Sequence, residues 1–259
     1  MLSTDAIDAE PLRVAAAAEE QEWNGAHLAL PVVRRRLAAW AYREPAVVLG
    51  AAQRPSAALV EAAHLAGIAV AQRRSGGGAV LAGPWLLGVS AVLPPDDALI
   101  ADGVVAAYRW LGEAHAQAFA VLGMGTRPAT PAEAHAAGRA GAELRWACFG
   151  ALSPWEVVDR FGRKLVGMAQ VRRRTGVLLV AGTLLDAPDW ATLCRVFGRP
   201  QSDARLLAQR TTSCSAILGR PADIVEVAQA VTAAVGERVG ARPVSGITPR
   251  PSARLSAPA

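Results

Sequence analysis

The chain has 259 residues, 52% of them hydrophobic and 19% charged, which excludes an intrinsically disordered protein and a small disulfide-stapled domain. Its 27 basic and 22 acidic side chains leave a net charge of +5, and a single lysine, Lys164, stands among the arginines. The cysteine count is three, with wide spacing, which argues against a secreted disulfide framework and favours a reducing cytoplasm.

The first residues lack the basic, apolar and small-residue order of a signal peptide. Residues 75–95 form a stretch of 21 uncharged residues, long enough for a membrane span. Eight glycines and prolines interrupt it, so turns and buried strands are the better interpretation, and no membrane association is expected.

In chain order, the pattern first predicts a solvated helix face at the arginine triplet 34–36. A strand, helix, strand unit follows, with strands at 46–50 and 68–72 and a helix that begins at Ser56. A buried strand at 85–93 precedes a long helix at 97–122. Further strands are predicted at 146–149, 157–159, 164–170 and 177–185, a hairpin turn at 172–176, and helices from Thr130, at 189–197 and at 222–239.

These elements predict an α+β fold with a mixed or antiparallel sheet covered by helices. No linker or repeat divides the chain, so we expect one domain over residues 21–240. The ends, 1–20 and 241–259, have few large apolar side chains and are expected to be flexible.

The densest chemical signal is the run RRSGGGAV, from Arg73 to Val80. Three glycines let backbone N–H groups converge on an anion, and two guanidinium groups add donors for phosphate or carboxylate. The run matches neither the P-loop nor the dinucleotide fingerprint. A flexible turn with exposed arginines is an equally good interpretation of the run at this point.

A second signal is GRKLVGMAQ, from Gly162 to Gln170, which contains the lone lysine. Small residues here allow a ligand close to the main chain, and an ammonium group can stabilise a developing phosphate or oxyanion. The alternative is a lysine that only belongs to a turn. Because arginine replaces lysine everywhere else, the retained Lys164 favours a functional role.

Together these two runs resemble the RRxSGGGAV and GRKxxGxAQ motifs of the lipoate-protein ligase A and octanoyltransferase family, which is related to biotin protein ligases. PAVVLGAAQ at 45–53 and VLLVAGTLL at 177–185 are similar to two further motifs of that family, in the same order. The resemblance implies the class II aminoacyl-tRNA synthetase-like fold of those catalytic domains. The sequence departs from the family pattern at Val180 and at 81–84, where the family carries histidines.

The resemblance implies that a lipoyl or octanoyl group is attached to a specific lysine of an acyl-carrier domain. The carriers implied are the lipoyl domains of 2-oxoacid dehydrogenases or an H-type glycine-cleavage protein. Lys164 is then the positive group at the reacting carbonyl or phosphate. The substrate-binding residues implied are Arg73, Arg74, Ser75, Gly76, Gly77, Gly78 and Ala79 around the activated end, and Gly167, Ala169, Gln170 and Gly182 along the acyl tunnel.

Cys148 separates two mechanisms. It lies in a Cys-Phe pair 16 residues before Lys164, where the octanoyltransferase branch carries its nucleophile, and a thiolate there needs no ATP. The ligase branch needs ATP and magnesium to activate lipoate or octanoate. No histidine falls in a motif, no protein-bound metal site is expected, and Cys194 and Cys214 are interpreted as packing residues. Both mechanisms remain open on the sequence.

Two other classes of protein compete with an enzyme. The missing family histidines fit a module that binds lipoate or a carrier without catalysis. The basic charge fits a nucleic-acid binder, but aromatic residues make up only 5% and are not interleaved with the arginines, so no nucleic-acid partner is expected.

Overall fold

The computed structural model describes residues 8–140 and 142–240. The fold is α+β, as the sequence predicts, with one large sheet, one small sheet and helices against them. The strands are β1 (Asp8–Ala9), β2 (Arg13–Ala15), β3 (Arg36–Tyr42), β4 (Ala46–Leu49), β5 (Ala69–Gln72), β6 (Val80–Ala82), β7 (Leu86–Leu93), β8 (Thr126–Pro128), β9 (Val157–Asp159), β10 (Lys164–Arg173) and β11 (Gly176–Leu184). The helices are α1 (Ala17–His27), α2 (Ala57–Leu65), α3 (Ala107–Val121), α4 (Pro131–Ala140), α5 (Trp190–Val196), α6 (Gln201–Arg210), α7 (Cys214–Leu218) and α8 (Ile224–Val239).

The large sheet has the order β1-β3-β7-β11-β10-β9-β8, with β2 also beside β3. From β3 to β8 every neighbouring pair is antiparallel. Every residue of the central strand β7 is buried, which confirms the interpretation of 85–93 as a core strand. The predicted hairpin turn is also confirmed, because Arg173 pairs with Gly176 at the tip of β10 and β11.

The small sheet has the order β5-β4-β6. Strands β4 and β5 are parallel and α2 connects them, which confirms the predicted strand, helix, strand unit. Ser56 caps α2 by accepting a hydrogen bond from the backbone N–H of Leu59.

Three sequence predictions of local structure are wrong. The helix expected at 97–122 is a short 3-10 turn, Ala98–Ile100, followed by α3, because Gly103 adopts a positive φ of 99° and interrupts the helical path. The strand expected at 146–149 is a 3-10 turn, Cys148–Gly150, preceded by a single bridge from Ala147 to Ala79. The triplet 34–36 leads into β3 instead of a helix.

Within the expected flexible segment 1–20, residues 1–7 lie outside the described residues, and β1, β2 and the start of α1 lie in the rest. The expected tail at 241–259 lies outside the described residues. In the described part of the chain, no helix combines the length and hydropathy that crossing a membrane requires.

Candidate active site

The side chain of Arg73 stabilises the turn formed by Gly76, Gly77 and Gly78, which we call the glycine turn. Its guanidinium is buried, and Nη2 donates to the carbonyl oxygens of Gly76 at 2.9 Å and Gly78 at 2.8 Å. Gly77, between them, has a positive φ of 97°, a backbone conformation that glycine adopts most easily. The arginine therefore holds the shape of the turn that the sequence predicts around an anion.

Close backbone approach explains why the turn is glycine-rich. A Cβ on Gly50, at the end of β4, would overlap the carbonyl oxygen of Gly77. A Cβ on Gly78 would lie 2.6 Å from the backbone of Trp146 and Ala147. The turn thus packs directly against the chain segment that leads to Cys148.

Ala79 connects the turn to that segment through two hydrogen bonds. Its N–H donates to the Trp146 carbonyl at 2.7 Å, and its carbonyl accepts from the N–H of Cys148 at 2.8 Å. The other two predicted residues of the run lie apart from the cleft: the Ser75 carbonyl accepts from Ala51 N–H at 3.0 Å, and the Arg74 side chain is exposed beside α1. The structure thus separates the two adjacent arginines.

Lys164 begins β10 and is 3% exposed. Its ammonium donates to the carbonyl oxygens of Cys148 at 2.7 Å and Ala151 at 2.8 Å, and pairs with Glu156 Oε2 at 2.7 Å. An ammonium has three N–H donors, so this set of acceptors matches it completely. The lysine therefore holds the turn that carries Cys148 in place.

Glu156 is a site residue that the sequence analysis missed. It is buried, and besides Lys164 it accepts backbone N–H groups from Ser153 at 2.7 Å and Met168 at 2.9 Å. Trp155, just before it, has a positive φ of 70°. A buried lysine requires an acidic partner, so an acidic residue near Lys164 could be expected. The sequence alone did not show which acidic residue this would be.

Cys148 lies between the glycine turn and β10, and it is half-buried. A Cβ built on Gly167 would lie 3.2 Å from Cys148 Sγ and 3.5 Å from Lys164 Nζ. The sulfur and the ammonium are therefore neighbours above the same glycine. A larger residue at position 167 would push them apart.

Two cavities share Cys148 as a lining residue. An open cleft of about 600 Å³ is bounded by the glycine turn, α4 and the 148–156 segment. A narrow slot of about 60 Å³ enters between the two sheets. Three residues line both cavities, Arg73, Cys148 and Met168. The slot is otherwise mainly apolar, with Val48, Val80, Ala82, Leu86, Phe149, Gly167, Ala169, Val180, Ala181 and Gly182 among its walls.

Two of the residues that line the slot, Gly167 and Gly182, belong to a row of glycines in register on three neighbouring strands. Gly167 of β10 pairs with Gly182 of β11, which pairs with Gly88 of β7. A Cβ on Gly88 would overlap the hydroxyl of Tyr42. The row therefore leads from the Cys148 sulfur at one end to the Tyr42 hydroxyl at the other.

A buried polar group closes that far end. The Tyr42 hydroxyl donates to Glu20 Oε2 at 2.8 Å, and Asn24 donates to Glu20 Oε1 at 3.3 Å. Burial is the main cause that raises the pKa of Glu20, and burial followed by the nearby Glu20 raises the pKa of Tyr42. Arg73, whose Nε lacks a partner among the described residues, also lines this end.

Gln170, expected in the tunnel, lies outside both cavities. Its amide donates to the Val104 carbonyl at 2.7 Å, and its oxygen accepts from Arg172 at 3.0 Å. Two cleft residues were not expected: His135, on α4, and Arg145, whose Nη2 donates to the Gly138 carbonyl at 2.8 Å.

The other two cysteines are buried away from these cavities. Burial raises the pKa of Cys194 to about 11 and that of Cys214 to about 12. Such thiols remain protonated at neutral pH and behave as small apolar side chains. Among the described residues, no group of three or more His, Cys, Asp or Glu side chains is arranged to hold a metal ion.

Residues 18–236 match the family described as the lipoyl protein ligase A/B catalytic domain. The chain is 32% identical over 187 residues to the octanoyltransferase LipM of Kyrpidia tusciae. The aligned region covers 70% of this chain and 67% of that protein.

Solved structures share the fold at lower identity. A bi-partite lipoate protein ligase from Thermoplasma acidophilum, analysed with its E2 lipoyl domain, has a TM-score of 0.67 at 17% identity, over 92% of this chain and 85% of that one. A lipoate-protein ligase A bound with ATP has a TM-score of 0.65 at 18% identity, over 90% and 84% of the two chains. The chain thus belongs to the lipoyl protein ligase A/B catalytic domain family and is an enzyme of the lipoate-protein ligase and octanoyltransferase type.

Proposed function

We propose that the chain is an octanoyltransferase that moves the acyl group from a carrier thioester, through Cys148, to a lysine of a lipoyl-type carrier domain. The position of the Cys148 sulfur, where the open cleft meets the apolar slot, carries this proposal. A relative 32% identical to the chain is described as an octanoyltransferase, which supports it. The acceptors proposed are the lipoyl domains of 2-oxoacid dehydrogenases or an H-type glycine-cleavage protein.

The row of glycines suits an acyl chain of about eight carbons. From Gly167 to Gly88 is a distance of two strand spacings, roughly 10 Å. An extended octanoyl chain has seven C–C bonds of about 1.5 Å each and spans roughly 9 Å along its axis. Entry requires the slot to widen, because Leu86 lies over Gly182, with Cδ1 3.5 Å from a Cβ built there. New rotamers of Leu86 and the flexible Met168 provide that space.

In the first chemical step, the Cys148 thiolate attacks the carbonyl carbon of the donor thioester. A new C–S bond forms to Sγ and the bond to the donor sulfur breaks. The donor leaves as a thiolate and takes up a proton from solvent, which balances the proton that Cys148 released when its thiolate formed. The acyl tail then occupies the slot while its carbonyl stays at the mouth of the cleft. No ATP is consumed, because one thioester replaces another.

In the second step, the neutral amine of the acceptor lysine enters the open cleft and attacks the same carbonyl. A C–N bond forms, the C–Sγ bond breaks, and the amine proton returns to the sulfur. The products are an amide on the acceptor and the free thiol of Cys148. The volume of about 600 Å³ leaves room for the lysine side chain beside the turn.

Lys164 and Glu156 support both steps without reacting themselves. The ammonium fixes the carbonyl of Cys148 and therefore the direction of its side chain. It also places a positive charge near the carbonyl group bonded to Sγ, on whose oxygen negative charge develops. Glu156 balances that charge in the buried environment and keeps the ammonium oriented.

A ligase route, in which ATP and magnesium activate lipoate or octanoate, is the second candidate. The open cleft favours it, because its volume and the Arg145 guanidinium at its wall suit an adenylate. On that route Lys164 acts at the phosphate or carbonyl, and Cys148 takes no part.

One experiment separates the routes. The purified protein is incubated with an apo lipoyl domain and either an octanoyl-carrier thioester or octanoate with ATP and magnesium. The mass of the acceptor domain is then measured by mass spectrometry. We expect a mass increase with the thioester alone, and a hydroxylamine-sensitive adduct on Cys148 when the acceptor is omitted.

The matched variants are Cys148→Ser, expected to lose transfer and adduct, and Cys194→Ala, which removes a buried thiol outside both cavities and is expected to retain them. Transfer that requires ATP and persists in Cys148→Ser would contradict the thioester mechanism and support the ligase route.

A further inference from the structure

A second cleft, of about 390 Å³, lies at the tip of the β10–β11 hairpin. Its walls are the side chains of Arg74, Arg173 and Arg174 and the carboxyl end of α1. We call it the arginine cleft. Arg74 directly follows the buried Arg73, so the glycine turn contributes to the active site on one side and to the arginine cleft on the other.

The charge of this cleft is not balanced within the described chain. Many arginines of this protein pair with acids, as Arg43 does with Glu19 at 2.6 Å and Arg127 with Glu133 at 2.6 Å. None of the three cleft arginines has a carboxylate partner among the described residues. The end of α1 offsets only part of this charge, since a helix carries about half a negative charge at its carboxyl terminus. Clustered like charges repel, so this surface favours an anionic partner.

Exposed apolar side chains lie next to these arginines. Leu30 is 74% exposed and adjoins Ala29, which lines the cleft. Val33 is 81% exposed and follows Val32, whose N–H donates to the Thr175 carbonyl at 2.7 Å. Arginine beside exposed aliphatic groups is a composition typical of protein interfaces. The partner is therefore a protein with an acidic surface.

The distance from this cleft to the sulfur identifies which protein fits. Arg173 stands six residues from Gly167 along β10, which is about 20 Å of strand. A lysine side chain reaches only about 6 Å from its backbone, so an acceptor docked at the cleft would not reach Cys148 by that side chain alone. A donor that carries its acyl group on a long flexible prosthetic arm would reach it.

We propose that the arginine cleft docks the acidic carrier protein that delivers the acyl thioester, and that the acceptor domain binds elsewhere, at the mouth of the open cleft. This inference rests on the proposed function, since it assumes a carrier-bound donor. It predicts that charge steers the donor to the enzyme, while chemistry at Cys148 is independent of these arginines.

Binding provides the first test, because it does not require turnover. The octanoyl form of an acidic acyl carrier protein is titrated calorimetrically into the Cys148→Ser enzyme. We expect affinity to fall at least about tenfold when Arg173 and Arg174 are both changed to Glu, and to fall with added salt. The matched control is Arg54→Glu with Arg205→Glu, which makes the same charge change at exposed arginines outside this cleft.

Kinetics provide the second test, with Cys148 intact. For R173E/R174E we expect a raised KM for the carrier-bound octanoyl thioester. The kcat, the KM for the acceptor domain, and the rate with octanoyl-N-acetylcysteamine, which has no acidic surface, should stay unchanged. Equal effects of R173E/R174E and the control on carrier affinity would overturn the docking proposal, as would a raised KM for the acceptor. Arginine-dependent binding in a protein that transfers no acyl group would support the docking site and overturn the proposed function alone.

Discussion

The carboxylate of Glu156 lies 2.7 Å from the ammonium of Lys164, and both residues are buried. The pair connects three parts of the site, because Lys164 also binds the Cys148 carbonyl and Glu156 also binds the N–H of Met168. A buried pair of this kind contributes little net stability, but breaking it leaves an uncompensated charge. Its main effect is to hold the Cys148 turn against β10.

Glu156→Gln therefore tests the role of the pair. An amide cannot balance the ammonium, so we expect unfolding in urea to become easier by about 3 kcal/mol and kcat to fall about 100-fold. The double variant Glu156→Gln with Lys164→Met removes both charges and should recover much of the stability but none of the activity. If Glu156→Gln alone has the stability and kcat of the wild type, the pair does not organise the site.

Gly182→Val tests the acyl slot. The added methyl groups project into the slot near Leu86, so we expect the preferred donor to shift from octanoyl to a shorter acyl group. The measurement is kcat/KM for a series of acyl thioesters from butyryl to decanoyl. Gly125→Val is the control, since a Cβ there meets no atom within 4 Å. An unchanged chain-length profile for Gly182→Val would exclude this slot as the acyl site.

Tyr42→Phe tests the polar end of the slot. The change removes the hydroxyl that donates to Glu20 at 2.8 Å and leaves a buried carboxyl with one fewer partner. We expect the free energy of unfolding to fall by about 1–3 kcal/mol, measured by urea denaturation. Tyr108→Phe is a comparison at a less buried hydroxyl and should cost less. Equal losses for the two variants would argue against a special role of the Glu20 contact.

His115 makes stability depend on pH. Burial lowers its pKa from 6.5 to about 4, with its ring held by the Leu111 carbonyl at 2.8 Å. The unfolded chain takes up this proton near pH 6.5 and the folded chain only near pH 4. Stability is therefore lost as pH falls through this window, by up to about 3 kcal/mol.

The check is the free energy of unfolding between pH 7 and pH 4 for the wild type and for His115→Leu. The variant should show a shallower decline, because leucine has no proton to bind. Since Glu20 acts with the opposite sign, only the difference between the two proteins isolates the histidine. Parallel curves would mean that His115 does not contribute.

The amino-acid sequence by itself determined the features that depend on neighbouring residues. The uncharged and largely apolar run of β7 requires burial, Ser56 begins a helix, and the lone lysine marks a position that arginine does not replace. The prediction of a long helix at 97–122 failed because of Gly103, whose positive φ a periodic pattern does not reveal.

Only the tertiary structure decided the orientation and partners of the site residues. Arg73 and Arg74 are identical side chains in consecutive positions, yet one braces the glycine turn and the other lines a separate surface cleft. Glu156 became the partner of Lys164, and Gly167, Gly182 and Gly88 became one row, only through strand pairing. Strand register depends on contacts between residues far apart in the chain, so these relationships have no local signature in the sequence.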